Sequence, residues 1–303
     1  MVREKFNQTE LRRRVIARRR TILEEEARTS HCEKCRDSGG YVEKKLEFMR
    51  KYLYAYTTII SKHFDRFWYV ETEAGPGICR TRGSGRVLLG TPLLAMTNEP
   101  YFTGYRFIEA NPECREALER RRNLYVPADF NVGIVEGDCN LKTREILETI
   151  PTRDRFLAFM DPEGLEMRWR DVLEPISQME GAEVYINFPF DMAIRRCMSP
   201  ELPAHEETIT EYMGHDRWKS LRDRFYQKSY DASQLREAFL TMYLEGLAEV
   251  GFEHIAVSRI IRSDNNVPLY YLIFGSRVPV AKKIMASVMK VDIEREQKTL
   301  FSL

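Results

Sequence analysis

The sequence of 303 residues has few cysteines, no long apolar run and almost no net charge. No stretch approaches the roughly 18 to 20 consecutive apolar residues of a membrane-spanning helix, and the Arg-rich N-terminus lacks the apolar segment of a secretion signal. Apart from one pair, the six cysteines lie far from one another, which favours reduced thiols over a disulfide framework. These absences predict a globular protein of the cytoplasm.

The charge balance excludes a molecule-wide positive field of the kind that attracts nucleic acids. Lysine and arginine total 47 against 46 aspartate and glutamate residues. Any contact with a nucleic acid must therefore be local. The hydrophobic content of 43% supplies enough material for one doubly wound α/β core with helical additions. We expect a helical extension over residues 1–64 and one α/β domain over residues 65–303.

The first 30 residues have the pattern of one charged amphipathic helix, with Leu11, Val15 and Ile22 on its apolar side. Arginines cover the remainder of this helix. They permit two interpretations, a phosphate-binding or partner-docking arm and a solvated helix packed through one thin apolar stripe.

A short polar link follows, in which Cys32 and Cys35 form a Cys-x-x-Cys pair beside His31. Two thiolates at this spacing can bind one zinc ion, but a structural zinc site needs four ligands and no second pair is present. These three residues are therefore weak zinc candidates, and we predict no metal.

From residue 67 onward, short apolar segments alternate with helical patterns. That alternation indicates a parallel sheet covered on both faces by helices. Thr91 and Asn111, each followed by proline, are expected to cap helices. The predicted strands are Phe67–Thr72, Tyr105–Glu109, Val132–Glu136, Phe156–Met160 and Glu183–Asn187.

The C-terminal part breaks the alternation. After a helical pattern over Gln234–Val250, two strand-like segments, His254–Ile261 and Leu269–Gly275, are separated by a link too short for a crossover helix. A parallel sheet that ends in an antiparallel hairpin distinguishes class I methyltransferases from dinucleotide-binding Rossmann domains. We therefore predict a Rossmann-like class I methyltransferase fold with N-terminal helices and a helical insertion over residues 191–233.

The first predicted strand leads from Glu71 through Glu73 directly into a glycine turn. Ligands of open α/β sheets bind at the carboxyl ends of strands, where glycine lets the backbone approach closely. Two later strands end near acids, Glu109 for ribose hydroxyls and Asp138 for an adenine amino group. A plain tight turn is the alternative, but three coordinated features favour S-adenosylmethionine (SAM) as the cofactor. The predicted cofactor-binding residues are Glu71, Glu73, Ala74, Gly75, Pro76, Gly77, Glu109 and Asp138.

The fourth predicted strand ends in Asp161-Pro162-Glu163, which would point into the same crevice. In many amino-group methyltransferases an acidic or amide side chain and a proline-fixed carbonyl stand here and orient the target nitrogen. We predict Asp161, Pro162 and Glu163 as catalytic residues. An Asp-Pro turn after a strand is the alternative interpretation.

Substrate-side residues are expected beyond the fifth strand. Asn187, Phe188 and Pro189 could line the acceptor site, and the insertion interleaves cations with aromatic side chains in a way that suits phosphate contacts and base stacking. The same insertion also suits a solvated helical lid. The candidates within it are Arg195, Arg196 and Trp218.

These residues together resemble the three-Cys-motif partner proteins (TcmP), a methyltransferase-like family, over most of the chain after about residue 30. The family commonly has Asp where Glu71 stands and an aromatic residue where Glu73 stands. The resemblance implies a SAM-binding fold and a protein partner with a three-Cys motif. It is carried by Cys32-x-x-Cys35, Lys45-Leu46, Tyr69-Val70-Glu71, Ala74-Gly75-Pro76-Gly77, Gly90-Thr91-Pro92-Leu93, Phe107-Ile108-Glu109, Asp161-Pro162-x-Gly164, Trp169, Gly214, Trp218, Tyr243, Leu247 and Gly251-Phe252.

Two functional hypotheses result. The first is a SAM-dependent methyltransferase that acts on a nitrogen or oxygen of a nucleic acid or nucleotide-like acceptor. The second is a binding subunit whose methyltransferase fold docks a partner protein without catalysis.

Overall fold

The computed structural model of the protein describes residues 8–28, 36–82, 84–199, 201 and 204–289. These residues form one large and one small sheet. The strands are β1 (Arg36–Ser38), β2 (Phe67–Glu71), β3 (Ile78–Thr81), β4 (Val87–Leu89), β5 (Gly104–Glu109), β6 (Val132–Glu136), β7 (Arg155–Met160), β8 (Ala182–Phe188), β9 (His254–Val257), β10 (Ile261–Arg262) and β11 (Pro268–Ser276).

Helices cover both faces of the large sheet. Two segments, Trp169–Leu173 and Phe190–Ile194, are π-helical. The α-helices are α1 (Gln8–Arg28), α2 (Val42–Ile60), α3 (Thr91–Met96), α4 (Pro112–Tyr125), α5 (Cys139–Glu148), α6 (Glu174–Ser177), α7 (Arg195–Cys197), α8 (Ala204–Met213), α9 (Trp218–Tyr226), α10 (Ala232–Glu249) and α11 (Pro279–Met289).

The large sheet has the strand order β6-β5-β2-β7-β8-β11, with β9 and β10 both paired to the outer edge of β11. β6, β5, β2, β7 and β8 are parallel, whereas β11 runs antiparallel to β8. The five predicted parallel strands and the antiparallel C-terminal hairpin are therefore confirmed. The chain has a Rossmann-like class I methyltransferase fold, with helices before the sheet and α7, α8 and α9 inserted after β8.

Strand β2 shows how the sequence builds the two faces of the core. Successive side chains of a strand point to opposite faces. Trp68 and Val70 belong to the core that includes α5, α8 and α10, while Phe67 and Tyr69 belong to the core that includes α2, α3 and α11. All five residues of β2 are buried, as expected for a central strand covered on both sides.

The small sheet, β1-β3-β4, was not predicted. β3 follows the glycine turn, pairs antiparallel with β4 and parallel with β1, and leads the chain into α3. The predicted cap at Asn111 is confirmed, since its side chain accepts from the backbone N–H groups of Glu113 and Cys114. The predicted cap at Thr91 is wrong: Gly90 is the N-cap of α3, and the Thr91 hydroxyl donates to Glu71 instead.

Helix α1 packs through the predicted thin stripe, since Leu11, Val15 and Ile22 are buried. Ile22 joins the same core as α2 and the sheet. The boundary at residue 64 stays a prediction. His31, Cys32 and Cys35 lie outside the described residues.

Several arginines of α1 form hydrogen bonds or ion pairs with residues of the α/β domain. Arg14 pairs with Glu99 at 3.0 Å, and Arg18 donates to the Tyr125 carbonyl at 2.6 Å. Arg19 is buried and donates to the Leu94 carbonyl at 2.7 Å. These contacts favour the packed-helix interpretation of α1 over a free phosphate-binding arm.

Neither a membrane-crossing helix nor a metal-binding cluster is found within the described ranges. Every helix there is too short or too polar to span a bilayer. No three or more histidine, cysteine, aspartate or glutamate side chains converge there as metal ligands.

A buried ion pair fastens α1 to the glycine turn. Arg121 of α4 binds both carboxylate oxygens of Glu26, at 3.2 and 3.1 Å, and also donates to the Pro76 carbonyl at 2.5 Å. The side chains of Arg121 and Glu26 are only 6% and 7% exposed. One guanidinium therefore connects the N-terminal helix with the predicted cofactor loop.

Replacing Arg121 by alanine should lower the free energy of unfolding by about 3–5 kcal/mol, because the substitution leaves the Glu26 carboxylate buried without its counter-charge. Urea denaturation would measure the change. Arg120→Ala is the matched control, since Arg120 is the exposed neighbour on the same helix. Equal losses in the two variants would contradict a stabilising role for the pair.

Candidate functional site

Two adjoining cavities open at the carboxyl ends of β2, β5 and β7. The first, which we call the Lys45 cavity, has a volume of about 250 Å³. The second, the Glu109 cavity, has a volume of about 540 Å³. Both are lined by Glu73, Gly75, Pro76 and Glu163. Together they form one cleft at the point where the strand order reverses, which is where open α/β sheets bind ligands.

The glycine turn forms the wall between the two cavities. Gly75 and Gly77 have φ values of +66° and +81°, which side chains other than glycine rarely adopt. The Ala74 N–H donates to the Ile108 carbonyl at 2.9 Å, and the Gly77 carbonyl accepts from the Gly90 N–H at 2.7 Å. The predicted turn is thus held at both ends and presents backbone to the cleft.

Glu109 and Asp138, which were predicted to contact the cofactor, both line the Glu109 cavity. The Glu109 carboxylate accepts from the backbone N–H groups of Gly75, at 2.6 Å, and Asn111, at 2.8 Å. Asp138 is exposed and caps α5 by accepting from the Asn140 N–H at 2.8 Å. Glu109 therefore stabilises the glycine turn in addition to its predicted role toward ribose.

The structure does not place Glu71 at the wall of either cavity. Its side chain is 1% exposed, accepts from the Tyr69 hydroxyl at 3.0 Å and also accepts from the Thr91 hydroxyl. Burial raises its pKa well above the usual range, although both hydrogen bonds oppose that shift. Glu71 accordingly ties β2 to α3 beneath the cleft, and the predicted direct contact with the cofactor is corrected.

Glu73, a predicted cofactor-binding residue, lines both cavities, and its negative charge is weaker than that of a free glutamate. Burial raises the pKa of its carboxyl to about 7, against opposing hydrogen bonds from Thr72 and Cys139. One of its oxygens also accepts from the Asp161 N–H at 3.2 Å. Near neutral pH this group is only partly ionised, so the negative charge expected beside the cofactor is reduced.

Asp161 stands in the wall of the Lys45 cavity and is 7% exposed. Its carboxylate forms an ion pair with Lys45 of α2 and accepts from the Asn187 side-chain amide at 3.0 Å. The Lys45 ammonium compensates a negative charge that would be costly to bury alone. The structure thus brings Asp161 and Asn187 together and adds Lys45, which sequence reasoning had not assigned to the site.

Pro162 and Glu163 continue the wall from Asp161. Pro162 is buried, whereas Glu163 is exposed and borders both cavities. The Glu166 carboxylate accepts from the N–H groups of Glu163, at 2.5 Å, and Gly164, at 2.7 Å, and so holds the turn in shape.

Most of the other predicted substrate residues lie away from the cleft. Phe188 is fully buried in the core and Pro189 is also buried. Trp218 is fully buried, and its indole N–H donates to Thr210 at 3.0 Å, so its ring cannot stack on an acceptor. These predictions failed because an aromatic or proline after a strand is compatible with either a core or a ligand contact.

The insertion cations are largely engaged with neighbouring acids. Arg195 is exposed and approaches Asp191 at 3.3 Å, while Arg196 is exposed outside both cavity walls. Lys219 and Arg222 both pair with Glu206. This arrangement favours the helical-lid interpretation of residues 191–233.

Lys45, Tyr41 and Tyr270 are wall residues that sequence reasoning missed. In the sequence, Lys45 stands out only within the Lys45-Leu46 motif that carries the resemblance to the three-Cys-motif partner proteins. Its helix lies N-terminal to the sheet, and Tyr270 comes from the last strand, so no local pattern connects either with Asp161. The one available signal was the helical spacing of Lys45 from the apolar Val42 and Met49, three positions before it and four after it.

Comparisons with known proteins find no matching protein-family model and no matching curated protein. Among solved structures, the chain is similar to protein LPL1258 from Legionella pneumophila, with a TM-score of 0.48, 11% identity, and coverage of 81% of this chain and 93% of that one. It is also similar to Trm1 from Pyrococcus horikoshii in complex with S-adenosyl-L-methionine, with a TM-score of 0.44, 10% identity, and coverage of 79% and 57%.

A third similar structure is the plantazolicin methyltransferase BpumL in complex with S-adenosylhomocysteine, with a TM-score of 0.33, 11% identity, and coverage of 89% and 99%. All three likenesses are distant. The fold assignment therefore depends on the strand order and register described above. Membership of the three-Cys-motif partner family stays a prediction.

The raised pKa of Glu73 predicts a pH-dependent effect of Glu73→Gln. Unfolded glutamate ionises near its ordinary pKa of 4.5, whereas the folded group ionises near 7. Wild-type stability should therefore fall as the pH rises between these values, and the glutamine variant should lack that loss. Relative to the wild type, Glu73→Gln should gain about 1–3 kcal/mol between pH 5 and pH 8, since one pKa unit corresponds to about 1.4 kcal/mol.

Denaturant unfolding at both pH values would measure this difference. The pKa of Glu183 is also raised to about 7 by burial, but Glu183 is present in both proteins and cancels in the comparison. The same pH dependence in wild type and variant would contradict a buried, partly neutral Glu73.

Proposed function

We propose that this protein is a SAM-dependent methyltransferase that acts on a nitrogen or oxygen of a nucleic acid or nucleotide-like acceptor. The observation that carries the proposal is the convergence of the glycine turn, Glu109 and Asp161 on one cleft at the carboxyl edge of a class I methyltransferase sheet. Each comes from a different strand end, and only this topology brings them together.

The residues present fit the proposed cofactor. Gly75 and Gly77 expose backbone where a bulky chain could approach, and Glu109 offers carboxylate oxygens at the rim of the larger cavity. Asp138 lies in the same wall and could accept from an adenine amino group. When bound, SAM would supply a methyl group activated by its positive sulfur.

The chemistry on the acceptor side would fall to Asp161 and the Pro162 carbonyl. Asp161 would accept a hydrogen bond from the target N–H or O–H and take up the proton that the acceptor loses. Lys45 and Asn187 would hold the carboxylate in place for this purpose. Most of the rate gain would come from alignment of acceptor and methyl group, which is a proximity effect.

A binding subunit without catalysis is the second candidate. The ion pair between Lys45 and Asp161 is the observation that favours it, because this carboxylate already has a cationic partner before any acceptor arrives. In this hypothesis the fold would dock a protein with a three-Cys motif. Binding of S-adenosylhomocysteine together with methyl transfer separates the two candidates.

Glu109→Ala should weaken S-adenosylhomocysteine binding about tenfold or more, because hydrogen bonds to a charged acceptor contribute about 1.5–3 kcal/mol each. Isothermal titration calorimetry would measure the affinity. Glu136→Ala is the matched control: Glu136 pairs in register with Glu109 on the neighbouring strand but lies outside both cavities. Unchanged affinity of the Glu109 variant would remove this residue from the site.

Asp161→Asn should retain the fold and S-adenosylhomocysteine binding but lose about 10²–10⁴-fold in turnover, the range that general-base and positioning roles contribute. Asparagine keeps the shape of the side chain while it removes the charge. The assay would use methyl-labelled SAM with RNA, DNA and protein pools from cells.

Glu163→Gln is the companion variant for this assay, since Glu163 is the next acidic residue in the same wall. A comparable loss there would move the acid-base role to Glu163. Full labelling of the preferred pool by Asp161→Asn would reject Asp161 as the catalytic residue, even if cofactor binding is intact.

A further inference from the structure

Three buried polar atoms near Asp161 have no hydrogen-bond partner among the described residues: the side-chain oxygen Oδ1 of Asn187 and the hydroxyls of Tyr185 and Tyr270. Asn187 and Tyr270 line the Lys45 cavity and are 6% and 2% exposed. An unsatisfied buried polar group costs about 1–3 kcal/mol. Two unpaired atoms from residues of one cavity wall, with the Tyr185 hydroxyl as a third behind it, indicate a place where a ligand completes the hydrogen bonding.

The chemistry of these atoms restricts the ligand. The Asn187 amide nitrogen donates to Asp161, so its oxygen is left as an acceptor that requires an N–H or O–H from the ligand. Burial raises the pKa of Tyr185 and of Tyr270, and the Asp161 carboxylate adds to both shifts, so both phenols stay neutral and can donate or accept. A neutral ligand group that carries hydrogen-bond donors and acceptors side by side would match the Asn187 oxygen and the two tyrosine hydroxyls.

Aromatic rings favour a planar shape for that group. The ring of Tyr41 packs edge-on against the ring of Tyr270, with centroids 5.9 Å apart and an interplanar angle of 72°. Both residues line the Lys45 cavity. Aromatic side chains can stack on nucleobases with little dependence on sequence, and the partly exposed ring of Tyr41 is the one available for this, with the buried Tyr270 ring behind it.

A second hollow of about 270 Å³ adjoins the Lys45 cavity and shares Tyr41 with it. Helix α2 begins at its edge, at Val42. The first N–H groups of this helix already donate to the carbonyls of Gly39 and Gly40, so the hollow depends on side chains for its positive charge. Lys44 and Arg262 add two cations, against the single carboxylate of Asp264. We call this feature the Arg262 hollow.

We propose that the acceptor is a nucleotide unit whose base enters the Lys45 cavity, against Tyr41, Tyr270 and Asn187, and whose phosphate occupies the Arg262 hollow. This inference rests on the proposed function and deepens it, because it assigns the acceptor-binding residues and the acceptor class. From the insertion, Met192 lines the Lys45 cavity, but none of the insertion cations lines either part of the site. The cations and aromatic residues that recognise the acceptor come from α2 and the C-terminal hairpin.

The test is calorimetric titration of cytidine 5′-monophosphate and of cytidine into the full chain, with S-adenosylhomocysteine at saturation so that the cofactor cleft is filled. The nucleotide should bind about tenfold more tightly than the nucleoside, because contacts with a charged phosphate contribute about 1.5–3 kcal/mol. Arg262→Gln should reduce nucleotide affinity to that of the nucleoside and leave cytidine unchanged. Tyr270→Phe should weaken both ligands by the same factor, about three- to tenfold.

Two matched controls accompany these variants. Arg259→Gln removes an equal charge from an exposed residue outside the hollow, and Tyr271→Phe removes the hydroxyl of the next residue on β11, outside the Lys45 cavity. Both should bind cytidine 5′-monophosphate like the wild type. Circular dichroism and thermal unfolding of every variant would show that the fold is retained.

Three results would overturn the inference: no binding of either ligand, equal affinity for nucleotide and nucleoside, or equal losses in a site variant and its control. The S-adenosylhomocysteine titration reports on the proposed function separately. If the cofactor product binds and the nucleotide does not, only this inference fails. If S-adenosylhomocysteine does not bind, the proposed function and the acceptor role fail together, and the nucleotide titration of the free protein then decides only whether this site binds a nucleotide.

Discussion

The position of β2 between β5 and β7 is the constraint on which the candidate site depends. Because the three strands are parallel, their carboxyl ends lie at one edge of the sheet. The glycine turn that follows β2 is held there by bonds to both neighbours: the Gly75 N–H donates to Glu109, and the Thr72 N–H donates to the Phe159 carbonyl. The cleft is thus a consequence of strand order, and its walls are already bonded to one another without a ligand.

This convergence also places several acidic groups close together, and the structure limits their mutual repulsion in two ways. Burial raises the pKa of Glu71 well above its usual range and that of Glu73 to about 7, so both groups carry less negative charge than free carboxylates do. Asp161 instead pairs with Lys45. Perturbed carboxyl pKa values of this kind cluster at functional sites. Both glutamates also accept hydrogen bonds, Glu71 from the Tyr69 hydroxyl and Glu73 from the Asp161 N–H.

Residues outside the parallel sheet complete the cleft. Helix α2 supplies Lys45, its N-cap residue is Tyr41, and the last strand supplies Tyr270. Helix α1 does not enter the cleft, yet Arg121 joins Glu26 of that helix to the Pro76 carbonyl of the glycine turn. The N-terminal helices therefore contribute to the cleft, α2 directly and α1 through packing, while α8 and α9 of the insertion pack into the core that includes α5 and α10.

The sequence by itself determined the parts that depend on local patterns. A few consecutive residues were enough to predict the alternation of strands and helices, the antiparallel end of the sheet and the Asn111 cap. The same is true of the glycine turn and of the acids at Glu109 and Asp161. Tertiary structure alone decided the rest. Lys45 forms an ion pair with Asp161, which lies 116 positions later in the sequence. Glu71 and Trp218 are buried, although glutamate and tryptophan also occur in ligand sites. The reason is physical: burial and long-range pairing depend on which surfaces pack together, and no short stretch of sequence contains that information.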